Sequence, residues 1–193
     1  MKFLIFIIFS YIIGSIPTAF ILTKIFKGID IRQVGSGNPG ATNVLRVGGP
    51  ILGIITFIID FSKGFIPALI AKLHFELYMV ALVMLFVILG HITSIFLNFK
   101  GGKGVATFLG ALFAFSFKLA LITLLFFLFI FFLTHIVSVS SISAVLLLIT
   151  IFIISKNFDI NTKLIVTLIG ALIIYRHKSN IKRLLNKEEK KLF

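Results

Sequence analysis

From Leu119 to Ser155 the chain runs for 37 positions without an acidic, lysine or arginine residue, and only His135 interrupts it with a titratable group. One helical passage through a bilayer needs ~20 apolar residues, so this run holds enough for two. Phe3 to Thr23 is uncharged as well. A water-soluble domain of 193 residues has too little interior to hide so much apolar surface. The composition agrees, at 59% hydrophobic residues, 24 Phe and a mean hydropathy of +1.17. An integral membrane protein is expected. In hydrocarbon each backbone N–H and C=O must find its partner within the segment or through barrel closure, so long uninterrupted runs are read as helices.

Apolar runs near 3–23, 47–71, 77–99, 105–117, 119–137, 141–155 and 162–175 predict an all-α polytopic bundle. It would have about seven transmembrane helices, or five if the short runs at 105–117 and 162–175 do not span. Lys24, Lys27, Arg32 and Arg46 follow the first run while only Lys2 precedes it. The N-terminus is therefore expected outside and the first loop in the cytoplasm, and either span count returns the loop near residue 100 and the C-terminus to that face. With its stronger positive cluster behind it, the first run reads as a retained anchor rather than a cleaved signal. Residues 1–193 read as one domain. Within it, 176–193 is expected to be a cytoplasmic basic tail, amphipathic from about Asn180 to Lys191, where Ile181, Leu184 and Leu185 alternate with Lys182, Arg183 and Lys187.

The formal charge of +13 is concentrated in short loops and the tail. Anionic lipid headgroups and an anionic substrate explain that placement better than nucleic acid does. The absence of cysteine excludes disulfides, thiol nucleophiles and thiolate metal sites. The four histidines are scattered without metal-ligand spacing, so neither a metal nor another cofactor is expected.

Two polar loops stand out against this background. The first runs Gly35-Ser36-Gly37-Asn38-Pro39-Gly40-Ala41-Thr42-Asn43 and is followed by Arg46. Gly35, Gly37 and Gly40 open backbone conformations that other residues resist, Ser36, Asn38, Thr42 and Asn43 can donate hydrogen bonds, and Arg46 can grip an oxyanion with two donors. A plain turn needs less. The second loop is Lys100-Gly101-Gly102-Lys103-Gly104-Val105-Ala106-Thr107. It lacks the spacing of a nucleotide-binding loop, but its amides open the run at 105–117, whose positive dipole end joins Lys103 in facing an anion. The third polar segment, Tyr175-Arg176-His177-Lys178-Ser179-Asn180-Ile181-Lys182-Arg183, closes the set.

Asp60 and Lys63 lie three apart on one helical face inside an apolar run, where ionised groups usually face protein. Mutual neutralisation and a site role both fit them. His91 beside Gly90 reads as a hydrogen-bonded interior histidine. Ser138, Ser140, Ser141 and Ser143 could serve a substrate or satisfy helix ends.

Taken in order, the first loop with Arg46, then Asp60-Phe61-Ser62-Lys63-Gly64, Gly90-His91, the second loop, and His177-Lys178-Ser179-Asn180-Ile181-Lys182-Arg183-Leu184 resemble the bacterial acyl-phosphate-dependent glycerol-3-phosphate acyltransferases of the PlsY type. The resemblance runs along nearly the whole chain. It implies transfer of a fatty acyl group from acyl phosphate, drawn from the membrane, to the 1-hydroxyl of cytosolic glycerol 3-phosphate. Lysophosphatidic acid and phosphate would be the products, in the bacterial inner membrane with the site on the cytoplasmic face. Carried over by position, it implies catalytic roles for Ser36, Arg46, Lys103, His177 and Asn180. Substrate contacts would come from Gly37, Asn38, Gly40, Thr42, Asn43, Gly101, Gly102, Gly104, Thr107, Ser141 and Arg183, with Asp60, Lys63, His91 and Glu188 in support. Two places depart from the family pattern. His135 stands where the family often has Arg, and Asn186-Lys187-Glu188 stands where the third motif ends Gly-x-Glu; Asn186 is expected to keep the left-handed turn.

No Ser-His-Asp spacing and no cysteine are present, which favours direct attack of the acceptor hydroxyl over an acyl-enzyme. The competing reading is a transporter for phosphate or another small anion, which would be expected to place paired broken helices near the bilayer midplane.

Overall fold

Pro17 splits the first apolar run. In the computed structural model, which describes residues 1–192, α1 (Lys2–Ser15) and α2 (Thr18–Lys27) flank it within one 26-residue membrane-length stretch. Gly28 ends α2 in the left-handed conformation, φ 68°. The first polar loop then leads into α3 (Ala41–Gly48). A turn at Gly49, with φ 92°, sets Pro50 as the first residue of α4 (Pro50–His74). There follow α5 (Leu77–Ile92), a 3-10 turn at Ile95–Leu97 and α6 (Val105–Phe115). The last four helices are α7 (Phe117–Thr134), α8 (Val137–Ile154), α9 (Ile160–Arg176) and α10 (Lys178–Leu185). No strand occurs among the described residues.

The expected helical bundle is what forms. Five stretches are long and apolar enough to cross a membrane, and a sixth counts if α9 and α10, bent by 53° at His177, are one broken span. With 11 residues, α6 extends ~16 Å and is too short to cross the hydrocarbon. α10 starts earlier and stops sooner than the alternation of the tail suggested, because the chain turns back at Lys187, φ 58°.

α5 is the most enclosed membrane-length helix, with Val83, Met84, Val87 and Ile88 fully buried. α7 is the least enclosed, and Phe129, Phe132 and Leu133 remain exposed along it, as suits a surface solvated by lipid. Close packing depends on glycine at two crossings. A Cβ on Gly64 of α4 would collide with the carbonyl of Thr107, and one on Gly110 of α6 with the carbonyl of Phe61. Gly14 and Gly90 do the same for α1 against α5. Where lipid is as apolar as the protein, such backbone proximity supplies the dispersion contacts that hold helices together.

Gly64→Ala is expected to lower the unfolding free energy in detergent by ~1–3 kcal/mol, because the obstructing atoms are backbone and cannot swing aside. Ile153→Ala on the exposed face of α8 should change it by less than ~0.5 kcal/mol. Thermal unfolding of the two purified variants checks both.

Candidate active site

The first loop is tied by one of its own predicted ligands. Asn43 accepts the Ser36 amide at 2.9 Å and donates to the carbonyls of Ile31 (3.2 Å) and Val34 (3.0 Å). Its side chain is spent on shaping the loop, and Gly35 and Gly37 take the positive φ values, 63° and 69°, that this path demands. Ser36 and Arg46 stay exposed. The second loop is held from below. Gly101 and Gly102 donate to the carbonyls of Ile92 and His91, each at 3.0 Å, and Gly104 with φ 86° turns the chain into α6. Lys103 reaches across to the side-chain oxygen of Asn180.

A cavity of about 410 Å³ joins these pieces. Ser36, Asn38, Gly40, Thr42, Asn43, Arg46, Lys103, Gly104, Ser141, His177 and Asn180 line its polar part, with Asp60 and His91 also on its wall. Gly53, Ile54 and Phe57 of α4 and Phe127, Leu128 and Phe131 of α7 line the apolar part. Ile54 and Phe57 are also exposed on the outer surface, so this part adjoins the lipid-facing side of the bundle. A second cavity of about 380 Å³ shares Ser36, Asn38 and Lys103. It holds Gly37, Gly101 and Arg183, with Arg32, Lys100, Arg176 and Lys178 as further cations.

Four predicted residues sit behind the cavities or away from them. Lys63 pairs with Asp60 at 2.7 Å and donates to the carbonyl of Ile16 at 2.5 Å, tying α4 to the break before Pro17. The Thr107 hydroxyl lies 3.2 Å from His91 Nδ1. Gly102 lines neither cavity, and a Cβ there would collide with the His91 ring. Glu188 is exposed.

The carboxylate that the tail brings to the site belongs to Glu189. Its side chain is 6% exposed and accepts from Ser138 (2.8 Å), Asn180 (2.5 Å) and Arg183 (2.6 Å). Burial alone would raise its pKa, but these three hydrogen bonds and the Arg183 charge hold it below the usual Glu value. The left-handed residue is Lys187 and not Asn186, whose φ is −84°, so the turn falls one position later than the sequence suggested and delivers the next acid. The tail continues across the cavity. Arg46 donates to the Lys190 carbonyl at 3.2 Å, the Leu192 amide to the His135 carbonyl at 2.9 Å, and Leu192 lines the wall.

The electrostatics favour an anion. Removal from water pushes the Lys103 pKa down to about 8, helped by Arg183, Arg46 and Arg176 and opposed by Glu189. His177 directs Nδ1 at the Ile173 carbonyl, 2.8 Å away; a carbonyl only accepts, so Nδ1 carries the hydrogen. Nε2 is left for the cavity. Among the described residues no group of three or more acids or histidines is placed to hold a metal.

Comparison with known proteins decides the family. The pattern of the family described as glycerol-3-phosphate acyltransferase matches residues 4–187. The chain belongs to this family. Relatives called glycerol-3-phosphate acyltransferase include that of Aquifex aeolicus, 45% identical over 98% of each chain. The protein of Ruthia magnifica is 47% identical over 98% of this chain and 96% of its own. Among solved structures, the glycerol 3-phosphate form of PlsY (YgiH), an integral membrane glycerol 3-phosphate acyltransferase, superposes with a TM-score of 0.94 at 44% identity, covering 99% of this chain and 96% of that one. Its lysophosphatidic acid form gives 0.91 at 42% identity, covering 99% and 95%.

Two outcomes test this geometry. A lysine with a depressed pKa is charged below that value and neutral above it. Affinity for sulfate, whose charge is constant here, is expected to hold from pH 6 to 7 and fall as pH rises through about 8. In Lys103→Arg the fall should vanish, since guanidinium stays charged. Glu189→Ala, which strips three donors of their acceptor, should lower kcat/KM by about tenfold or more, while Glu188→Ala should stay within about twofold of the parent. Steady-state acyltransfer assays on the purified variants check this.

Proposed function

We propose that this chain transfers a fatty acyl group from acyl phosphate to the 1-hydroxyl of glycerol 3-phosphate, releasing phosphate and forming lysophosphatidic acid. The observation that carries this reading is that one cavity is lined both by Arg46, Lys103, His177 and Asn180 and by apolar side chains of α4 and α7. One substrate must be compact and anionic, the other must join an anion to a long apolar chain, and the cavity has a place for each.

The acceptor hydroxyl attacks the acyl carbonyl carbon, the bond from that carbon to the phosphate oxygen breaks, and phosphate leaves with the electron pair. Charge collects on the carbonyl oxygen as it becomes tetrahedral, and donors already held in place stabilise it without reorganising. Lys103 and Arg46 also offset the repulsion between two phosphates brought close together. The hydroxyl proton has two acceptors, His177 Nε2 and an oxygen of a substrate phosphate. Among the described residues Ser36 has no base beside it that would activate it as a nucleophile; its hydroxyl accepts the Asn38 amide at 3.4 Å. The reaction is therefore direct, with both substrates bound together. The positive-inside bias supports a topology with the N-terminus outside and the site on the cytoplasmic face of the inner membrane, where the basic tail meets anionic headgroups.

Purified protein given acyl phosphate and glycerol 3-phosphate is expected to release phosphate and form lysophosphatidic acid. Lys103→Ala and Arg46→Ala should each lower kcat/KM by about a hundredfold, with membrane insertion retained. A transporter would release no phosphate. Radiolabelled acyl phosphate alone should leave no label on the denatured enzyme, and label on a Ser36 peptide, discharged at the turnover rate, would overturn direct transfer. Comparable turnover with acyl coenzyme A would overturn the donor.

A further inference from the structure

Arg176 belongs to the third polar segment, but no site role was assigned to it from the sequence, and it has an unusual set of partners. The last residue of α9, it is half-buried and pairs with no carboxylate among the described residues. Its guanidinium instead donates to two consecutive carbonyls of the glycine loop, from Nη2 to Gly101 at 2.7 Å and from Nε to Gly102 at 3.2 Å. A buried arginine ordinarily finds a carboxylate, because a lone cation is costly to remove from water. Two carbonyl dipoles are a weaker return, so the placement calls for a reason in the loop itself.

That reason follows from peptide geometry. In a trans peptide the C=O and the next N–H point in opposite directions. Turning the Gly101 carbonyl to Arg176 aims the Gly102 amide away from it, and that amide meets the His91 carbonyl at 3.0 Å. Turning the Gly102 carbonyl to Arg176 likewise aims the Lys103 amide away from the guanidinium, and Lys103 itself lines the main cavity. The loop is thus clamped between the end of α5 and the fork of Arg176. The absence of a Cβ at Gly101 and Gly102 is what lets the clamp close, since a side chain on either would strike the end of α5.

We propose that Arg176 is a positioning residue for acyltransfer: its two-donor fork fixes the orientation of the Gly101-Gly102-Lys103 peptides, and with it the place of the Lys103 amide and side chain that meet the acceptor phosphate. This rests on the reading of the loop as a phosphate site. The planar fork is essential and charge alone does not suffice: an ammonium can reach two carbonyls, as Lys72 does at Ala114 and Phe115, but its donors rotate freely and do not fix the plane of either peptide.

The test uses the full-length protein in lipid nanodiscs. In Arg176→Gln the KM for glycerol 3-phosphate should rise about tenfold or more with kcat within about threefold, and Arg176→Lys, which keeps the charge, should raise KM at least about fivefold. Hydrogen exchange at the Gly101 and Gly102 amides should speed up by about tenfold in both variants, with α5 and α8 unchanged. Wild-type KM in Arg176→Gln overturns the proposal, as does wild-type behaviour of Arg176→Lys beside an impaired Arg176→Gln, which would make the residue a charge and not a clamp. Unchanged loop exchange in Arg176→Gln overturns it without reference to activity. The parent reading fails separately, through wild-type kinetics in Lys103→Ala.

Discussion

Two backbone hydrogen bonds, from Gly101 to Ile92 and from Gly102 to His91, join the glycine loop to the end of the most enclosed helix of the bundle. The direction of α6, the reach of Lys103 toward Asn180 and the approach of Arg176 all depend on that joint. A loop that became ordered only on meeting its ligand would lose affinity to the entropy of ordering. Here the ordering belongs to folding, and the helix core supplies it.

A second constraint is ionic. Asp60 and Lys63 are buried together at side-chain exposures of 3% and 5%, and Lys63 also holds the Ile16 carbonyl. The sequence left open whether this pair neutralises itself or serves the site, and in the structure the two partners reach different places. Asp60 reaches the cavity wall, while Lys63 balances its charge and fastens α4 to the break between α1 and α2. Removing either partner alone would leave an uncompensated buried charge, which usually destabilises by ~3–5 kcal/mol.

What could be read from the sequence was what depends on local pattern. Uncharged runs of membrane length announced the helices, and the glycines, hydroxyls and cations that gather at the cavity were visible as interruptions in those runs. What escaped depends on geometry across distant segments. The position of the left-handed turn is one example. Asn186 was the residue whose chemistry tolerates it, yet the chain places Lys187 there, and a shift of one position exchanged Glu188 for Glu189 as the buried acid. Asn43 is another, since its composition suits a ligand equally well but its bonds go to Ile31, Val34 and Ser36. Arg176 looked like one more cation beside His177, and only the meeting of α9 with a loop 74 residues earlier gives it carbonyl partners.

The shape of the main cavity bears on traffic through the enzyme. Its polar lining comes from the cationic loops, and its apolar lining includes Ile54 and Phe57 of α4, which are exposed on the bundle surface. A single-chain lipid made there would already have its phosphate at headgroup level and its tail parallel to those of the surrounding leaflet. It could leave by sliding sideways, without passing a charged group through hydrocarbon and without first dissolving in water. The enzyme would thus deliver its product sideways into one monolayer, with no inversion and no carrier.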